Sequence, residues 1–212
     1  MSRRKPQEAA VAESGGRQRL IEAALKLAAK SRSVQTIGVR ALGRAAGLNP
    51  NTFYRHFSCM DDLALALIET LSHDLRQTLR QMRHSLRQPD AVIQRTVEYV
   101  FEFADRNPEA FIVGVRELYG ASPAVRAALR QMISGLADDI VDDTRLLETA
   151  PDVPEETLRE IAEMIVPQIF HNVLDYLERP SRRTLLLHQS VRFVAMLFAG
   201  AAALEGKTVA RK

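Results

Sequence analysis

The stretch AGLNPNTFYRHF, residues 46–57, gathers Asn, Thr, Tyr, Arg and His between two phenylalanines four residues apart and just behind Pro50. If this segment is a helix, Phe53 and Phe57 share one face and pack inward. Asn51, Thr52, Arg55 and His56 then lie opposite, with Tyr54 at the border. Amide, hydroxyl, guanidinium and imidazole groups are the set that reaches base edges and phosphates when a helix enters a major groove. Upstream, Arg40 and Arg44 add positive charge. Thr36 stands where a hydroxyl and backbone N–H groups at a helix start can address a phosphate. The competing reading is a plain three-helix packing unit with a solvated basic face.

The surrounding pattern supplies the elements needed to hold such a face. Leu20, Ala23, Ala24, Leu27 and Ala28 recur at helical spacing, which predicts a first helix over Arg17 to about Ser31. A short second helix spans Val39 to Ala46, and Gly47 ends it as a residue free to take positive φ. Asn49 as N-cap and Pro50 at the first helical position start a third helix running to about Phe57. Three short helices with a tight turn between the last two make a helix-turn-helix.

Downstream, long helices are expected from Asp61 to about Arg87, Pro89 to Arg106, Pro123 onward, Pro154 to Leu177 and Ser181 to Leu204, with a shorter one over 109–120. No strand alternation of any length is present. The expected fold is all-α with about nine helices: an amino-terminal helix-turn-helix domain over 17–58 and a larger helical body over 59–206. Residues 1–16 form a flexible basic tail in this scheme and 207–212 a second tail. The SRRK run at 2–5 could also enter an adjacent minor groove as a basic arm.

Charge is unevenly distributed along the 212 residues. Residues 1–57 hold eleven Lys/Arg against three Asp/Glu, and the remainder eighteen against twenty-three. A basic quarter on an acidic body points to a polyanion partner for the first part and a different task for the rest. A single cysteine, Cys59, excludes an internal disulfide, and the start of the chain has no apolar signal core, so a cytoplasmic protein is expected. The longest charge-free apolar stretch, FVAMLFAGAAAL (193–204), has twelve residues against the roughly 20 that span a bilayer, so no membrane is expected. His73, His84, His171 and His188 lack metal-ligand spacing. Nucleotide-binding, hydrolase and metalloprotease motifs are missing, which argues against an enzyme and against a cofactor.

The stretch TIGVRALGRAAGLNPNTFYRHFSCMDDLALAL (36–67) resembles the DNA-binding signature of the TetR family of bacterial transcriptional repressors. That resemblance implies phosphate contacts for Tyr54 and His56, base-reaching positions for Asn49, Asn51, Thr52 and Arg55, and a backbone or base contact for Arg40. It also implies a homodimer on double-stranded DNA. Where the family commonly has Lys at the start of the fourth helix, this chain has Met60. NPEAFIVGVRELYGASPAVRAAL (107–129), with FYRHF, is similar to the FabR/DesT-type repressors of unsaturated fatty acid synthesis, which implies response to long-chain acyl-CoA or acyl carrier protein.

For the body, apolar and adaptable side chains at Phe101, Phe103, Phe111, Val115, Tyr119, Met132, Ile133, Leu136, Met164, Ile169 and Phe170 are candidates to line a cavity for a small hydrophobic ligand. For any one of these, plain core packing is the competing reading. Arg116, beside Glu117, follows an apolar run. The two residues are either a mutual or cross-helix ion pair or a polar latch near the ligand headgroup or the linkage to the fourth helix. The last two helices hold more apolar surface than one side needs, as in a four-helix interface between two copies. Within the TetR resemblance, a repressor of efflux genes responding to hydrophobic drugs is the alternative to acyl-CoA sensing.

Overall fold

The computed structural model describes residues 5–31, 33–86 and 88–209. Among them are nine α-helices and no strand: α1 (Lys5–Ser31), α2 (Val39–Ala46), α3 (Phe53–His56), α4 (Met60–Ser85), α5 (Pro89–Arg106), α6 (Pro108–Glu117), α7 (Pro123–Leu146), α8 (Glu155–Glu178) and α9 (Arg183–Val209). Single 3₁₀ turns at Pro50–Thr52 and Pro180–Arg182 lead into α3 and α9.

Two boundaries differ from expectation. α1 begins at Lys5, so the basic tail is helical over 5–16, and residues 2–4 of the SRRK run lie outside the described residues. The tail expected at 207–212 is helical to Val209, the end of α9.

The chain forms two compact units, and their division does not fall at residue 58. The first comprises the residues up to Glu69 together with Glu109–Ala128; the second comprises Thr70–Pro108 and the residues from Leu129 onward. Thus α6 and the first turn of α7 belong with the amino-terminal helices.

In the first unit the core is built by Leu20, Ala24 and Ala28 of α1, Leu42 of α2, Phe53 of α3 and Leu63 of α4, all buried. Phe53 alone, with no exposed surface, contributes roughly 1.5–3 kcal/mol by its removal from water.

The core of the second unit comes from Leu75 and Leu79 of α4, Val97 and Phe101 of α5, Leu158, Ile161, Ile165 and Val173 of α8, and Leu186 and Val194 of α9. Phe101 stacks on Tyr176, with ring centroids 5.5 Å apart. Two polar side chains within this core are paired: Asn172 Nδ2 donates to Ser190 Oγ at 2.9 Å, and that hydroxyl donates to the Leu186 carbonyl at 2.8 Å. Such pairing removes the penalty of burying them.

Candidate nucleic-acid interface and ligand cavity

The turn between α2 and α3 depends on two glycines. Gly47 caps α2 in the left-handed region (φ 63°, ψ 36°) and donates to the Arg44 carbonyl, while the Leu48 N–H closes on the Gly43 carbonyl at 2.8 Å. A Cβ at Gly43 would stand 3.1–3.2 Å from the backbone of Leu48 and Pro50. The tight re-entry into a helix is thus favoured by the lack of a side chain at both positions. Asn49 then caps the 3₁₀ turn, its Oδ1 accepting from the Asn51 N–H at 2.9 Å.

Behind this turn Phe53 and Phe57 pack at 5.8 Å between ring centroids, and the Arg17 guanidinium stands 5.3 Å from the Phe57 ring centre. On the other side Thr36, Arg40, Asn49, Asn51, Tyr54 and Arg55 are all exposed, Tyr54 at 65 %. Thr52 is half-buried. Thr36 ties its hydroxyl to the Ser33 carbonyl at 3.0 Å.

His56 behaves differently from the rest of the expected contact set. Its Nε2 is buried without a protein partner, and a Cβ on Gly16 of α1 would lie 3.0 Å from it. Within α3 His56 is one residue before Phe57, about 100° away around the helix, so it stands at the border of the packed side and its ring lies against α1. Met60, the first residue of α4, is half-buried. Beside it the Asp62 carboxylate accepts the Ser58 N–H at 2.9 Å, and hydrogen bonds from the Ser58 side chain and backbone hold its carboxyl below the usual range.

A hydrogen-bonded chain clips the α1–α2 loop to the α6–α7 corner within this unit. Glu117, 3 % exposed, accepts the Ser33 hydroxyl at 2.7 Å and the Val34 N–H at 2.8 Å through Oε1. Gln35 donates through its Nε2 to Asp61 Oδ1, and Ser122 donates to Asp61 Oδ2 at 2.7 Å. The polar latch thus involves Glu117, and it fixes the loop that leads into α2.

In the second unit two Arg–Asp pairs join α4 to α7. Arg76 grips Asp139 with two hydrogen bonds, at 2.6 and 2.9 Å, beside Gly135, where a Cβ would meet the guanidinium at 2.9 Å. The Asp139 carboxylate raises the Arg76 pKa further above its usual value. Arg83 and Asp143 are buried more deeply, at 5 % and 3 % exposure. Arg83 Nε donates to Asp143 Oδ2 at 2.6 Å, and the other carboxylate oxygen meets His84 Nε2 at 2.7 Å.

This second pair forms part of the wall of a cavity of about 370 Å³, within the roughly 300–1,000 Å³ range of small-molecule sites. The remaining wall is largely aliphatic, with Val92, Ile93 and Val97 of α5, Ile165 and Ile169 of α8 and Val194 of α9; Phe198 is its one aromatic residue.

Of the candidates, Ile169 lines this cavity, whereas the other ten and Arg116 do not. Phe111, Val115, Arg116 and Tyr119 fall in the first unit, where Tyr119 is 90 % exposed. In the second unit Phe101, Leu136 and Phe170 are buried in packing, Met132 is half-buried and Met164 is 55 % exposed. Periodicity marks apolar residues that need burial, and close packing consumes most of them. The void lies where small side chains, Ala195, Ala199 and Ala202, leave space on α9.

The helix-turn-helix and its flanking helices, residues 20–67, match the family described as "Bacterial regulatory proteins, tetR family". Residues 20–67 are a TetR-family amino-terminal domain. The whole chain has a TetR-like fold. The fatty acid degradation regulator FadR from Bacillus halodurans aligns with a TM-score of 0.74 at 16 % identity, covering 87 % of this chain and 95 % of that one. FadR from Bacillus subtilis, in complex with stearoyl-CoA, gives 0.72 at 16 % identity over 86 % and 98 % of the two chains. FadR from Thermus thermophilus, a TetR-family repressor in complex with lauroyl-CoA, gives 0.62 at 21 % identity over 85 % and 92 %.

Proposed function

We propose that this protein is a dimeric transcriptional repressor that binds a palindromic operator through α2 and α3 and releases or grips it in response to a small apolar ligand. The observation that carries this reading is the exposed set Arg40, Asn51, Tyr54 and Arg55, held out from a buried Phe53 on a TetR-family domain. Tyr54 touches phosphate, and Asn51 and Arg55 read bases. Two copies of the face, related by a two-fold axis, reach successive major grooves when they stand about 34–36 Å apart.

A second copy is expected on the outer face of α9. The segment Pro180–Glu205 is long and apolar enough to cross a membrane by length and composition, yet only 22 % of its most apolar 18-residue stretch is buried. Leu185, Met196 and Leu204 are at least half exposed, and a Cβ at Gly200 would meet nothing within 4 Å. A helix this apolar and this uncovered suits a close helix–helix interface between two copies.

The ligand is read as a long-chain acyl-CoA, and the regulated process as unsaturated fatty acid synthesis. The aliphatic cavity wall supports the acyl chain, as do the acyl-CoA complexes of two fold neighbours. A repressor of efflux genes that takes cationic drugs is less well served. Asp143, the buried acid of this wall, is already engaged by Arg83 and His84 through both oxygens. A ligand shifts the DNA-binding equilibrium only as far as its affinities for the two states differ. Titrating operator complexes with oleoyl-CoA and palmitoyl-CoA tests the assignment: unequal changes in DNA affinity support it, and no response to either removes the lipid reading while leaving DNA binding intact.

A further inference from the structure

We propose that Arg17 of α1 grips a backbone phosphate beside the bases that α3 reads, so that α1 is a third element of the duplex interface. This rests on the reading of α2 and α3 as a DNA-binding face.

The inward stripe of α1 runs through Leu20, Ala24 and Ala28, each at most 1 % exposed. Arg17 stands one turn before Leu20 on that same stripe, yet it is exposed. The stripe therefore leaves the core at its amino-terminal end and continues as a cation. What it meets there is the end of the reading helix. The Arg17 guanidinium lies 5.3 Å from the ring centre of Phe57, the residue that closes α3. One residue earlier, a Cβ on Gly16 would stand 3.0 Å from His56 Nε2 and 3.8 Å from Thr52 Cγ2. At Gly16, α1 thus runs against the reading helix with no side chain of its own between them. Arg17 is held beside the helix that exposes Tyr54 and Arg55.

Covering Phe57 alone calls for no charge, because an apolar side chain at the end of an inward stripe removes the same ring from water. An arginine lays its stem over the ring and keeps its head in solvent. Among the described side chains no carboxylate pairs with that head. Arg19, two residues on, is different, since its Nη2 is committed to the Gly47 carbonyl at 3.2 Å. A guanidinium steadied by a ring, unpaired and next to a base-reading helix presents a planar fork of N–H donors that matches a phosphate. Such a contact carries no sequence information. It fixes where along the duplex the reading helix sits.

The full-length protein is titrated with a duplex selected from random DNA, and with its scrambled counterpart, over a salt series from about 50 to 200 mM. Arg17→Met keeps a stem over Phe57 and removes the charge. It lowers the slope of log affinity against log salt by about one per copy, or about two for a dimer. Selected and scrambled duplexes weaken alike, by about tenfold, and the melting temperature stays within about 3 °C of the parent. Arg17→Lys retains the charge and most of the slope. Lys26→Met removes the same charge from the opposite side of α1, about 13 Å further along its axis, and leaves the slope unchanged.

A parent-like slope for Arg17→Met, or one shared with Lys26→Met, overturns the phosphate contact and leaves a sequence-specific DNA-binding protein standing. Relaxed base preference in Arg17→Met also overturns it, by making Arg17 a reader of bases. If Arg17→Met does not fold, Arg17→Gln takes its place with the same readings. A parent protein that binds selected and scrambled duplexes equally overturns the underlying DNA-binding reading as well.

Discussion

In the first unit the polar groups that matter stand in water, whereas in the second they are sealed inside. Asn51, Tyr54 and Arg55 are exposed and adjacent in sequence. Arg83 and Asp143 are buried, and sixty residues separate them. A DNA-reading face has to leave its donors unsatisfied until the duplex arrives, so it contributes little to folding. A buried ion pair has to be complete in the folded chain, because either partner alone is an uncompensated charge. The contrast predicts that substitutions in the two regions separate function from stability in opposite ways.

The largest effect is expected at the buried pair. Asp143→Ala strands Arg83 in the wall and lowers unfolding free energy by about 3–5 kcal/mol in denaturant titrations. Replacing both partners together, Arg83→Met with Asp143→Leu, recovers most of that loss. A double replacement as unstable as the single one breaks the comparison.

On the exposed face the pattern reverses. Arg55→Ala and Asn51→Ala each weaken specific DNA binding by about 1–3 kcal/mol and relax base preference. Their unfolding curves stay within about 0.5 kcal/mol of the parent. Tyr54→Ala weakens all sequences alike and reduces the salt dependence of binding. Equal, sequence-blind losses from all three contradict the division of roles.

Gly47→Ala lies between the two regimes. Its Cβ must adopt φ 63° at the turn, costing about 1–2 kcal/mol of stability, and it alters the entry to α3, so DNA affinity falls with it. The smallest effect is acidic. The Asp62 carboxyl is held below its usual range, so its contribution is fully present above the unfolded-state pKa and is lost as pH falls through the folded one. Asp62→Asn removes this part of the acid limb, which pH-dependent melting measures.

The two regions were unequally legible in the sequence. The ends of α2 and the start of the reading helix are set by Gly47, Asn49 and Pro50, local signals that act within a turn of themselves. His56, expected on the reading face, is about 100° from Phe57 around α3, which puts it at the edge of the packed side. The contact of Glu117 with Ser33 crosses 84 residues, and no periodicity reports it. Arg83 did leave a trace, since Leu75, Leu79 and Arg83 follow one another at four-residue spacing on the buried stripe of α4. A charge on such a stripe needs a partner. FVAMLFAGAAAL reads only as an apolar helix, yet its Ala195, Ala199 and Ala202 make room for the cavity.

The central claim is that the exposed face of α2 and α3 reads duplex sequence as a symmetric pair. Equilibrium binding of the full-length protein, at physiological salt, to a fragment selected from random double-stranded DNA measures it directly. The account predicts a palindromic site whose half-sites are one helical turn or a multiple apart, bound at least about 10³-fold more tightly than its scrambled counterpart, with that preference reduced by Arg55→Ala. Equal affinity for selected and scrambled duplexes contradicts it.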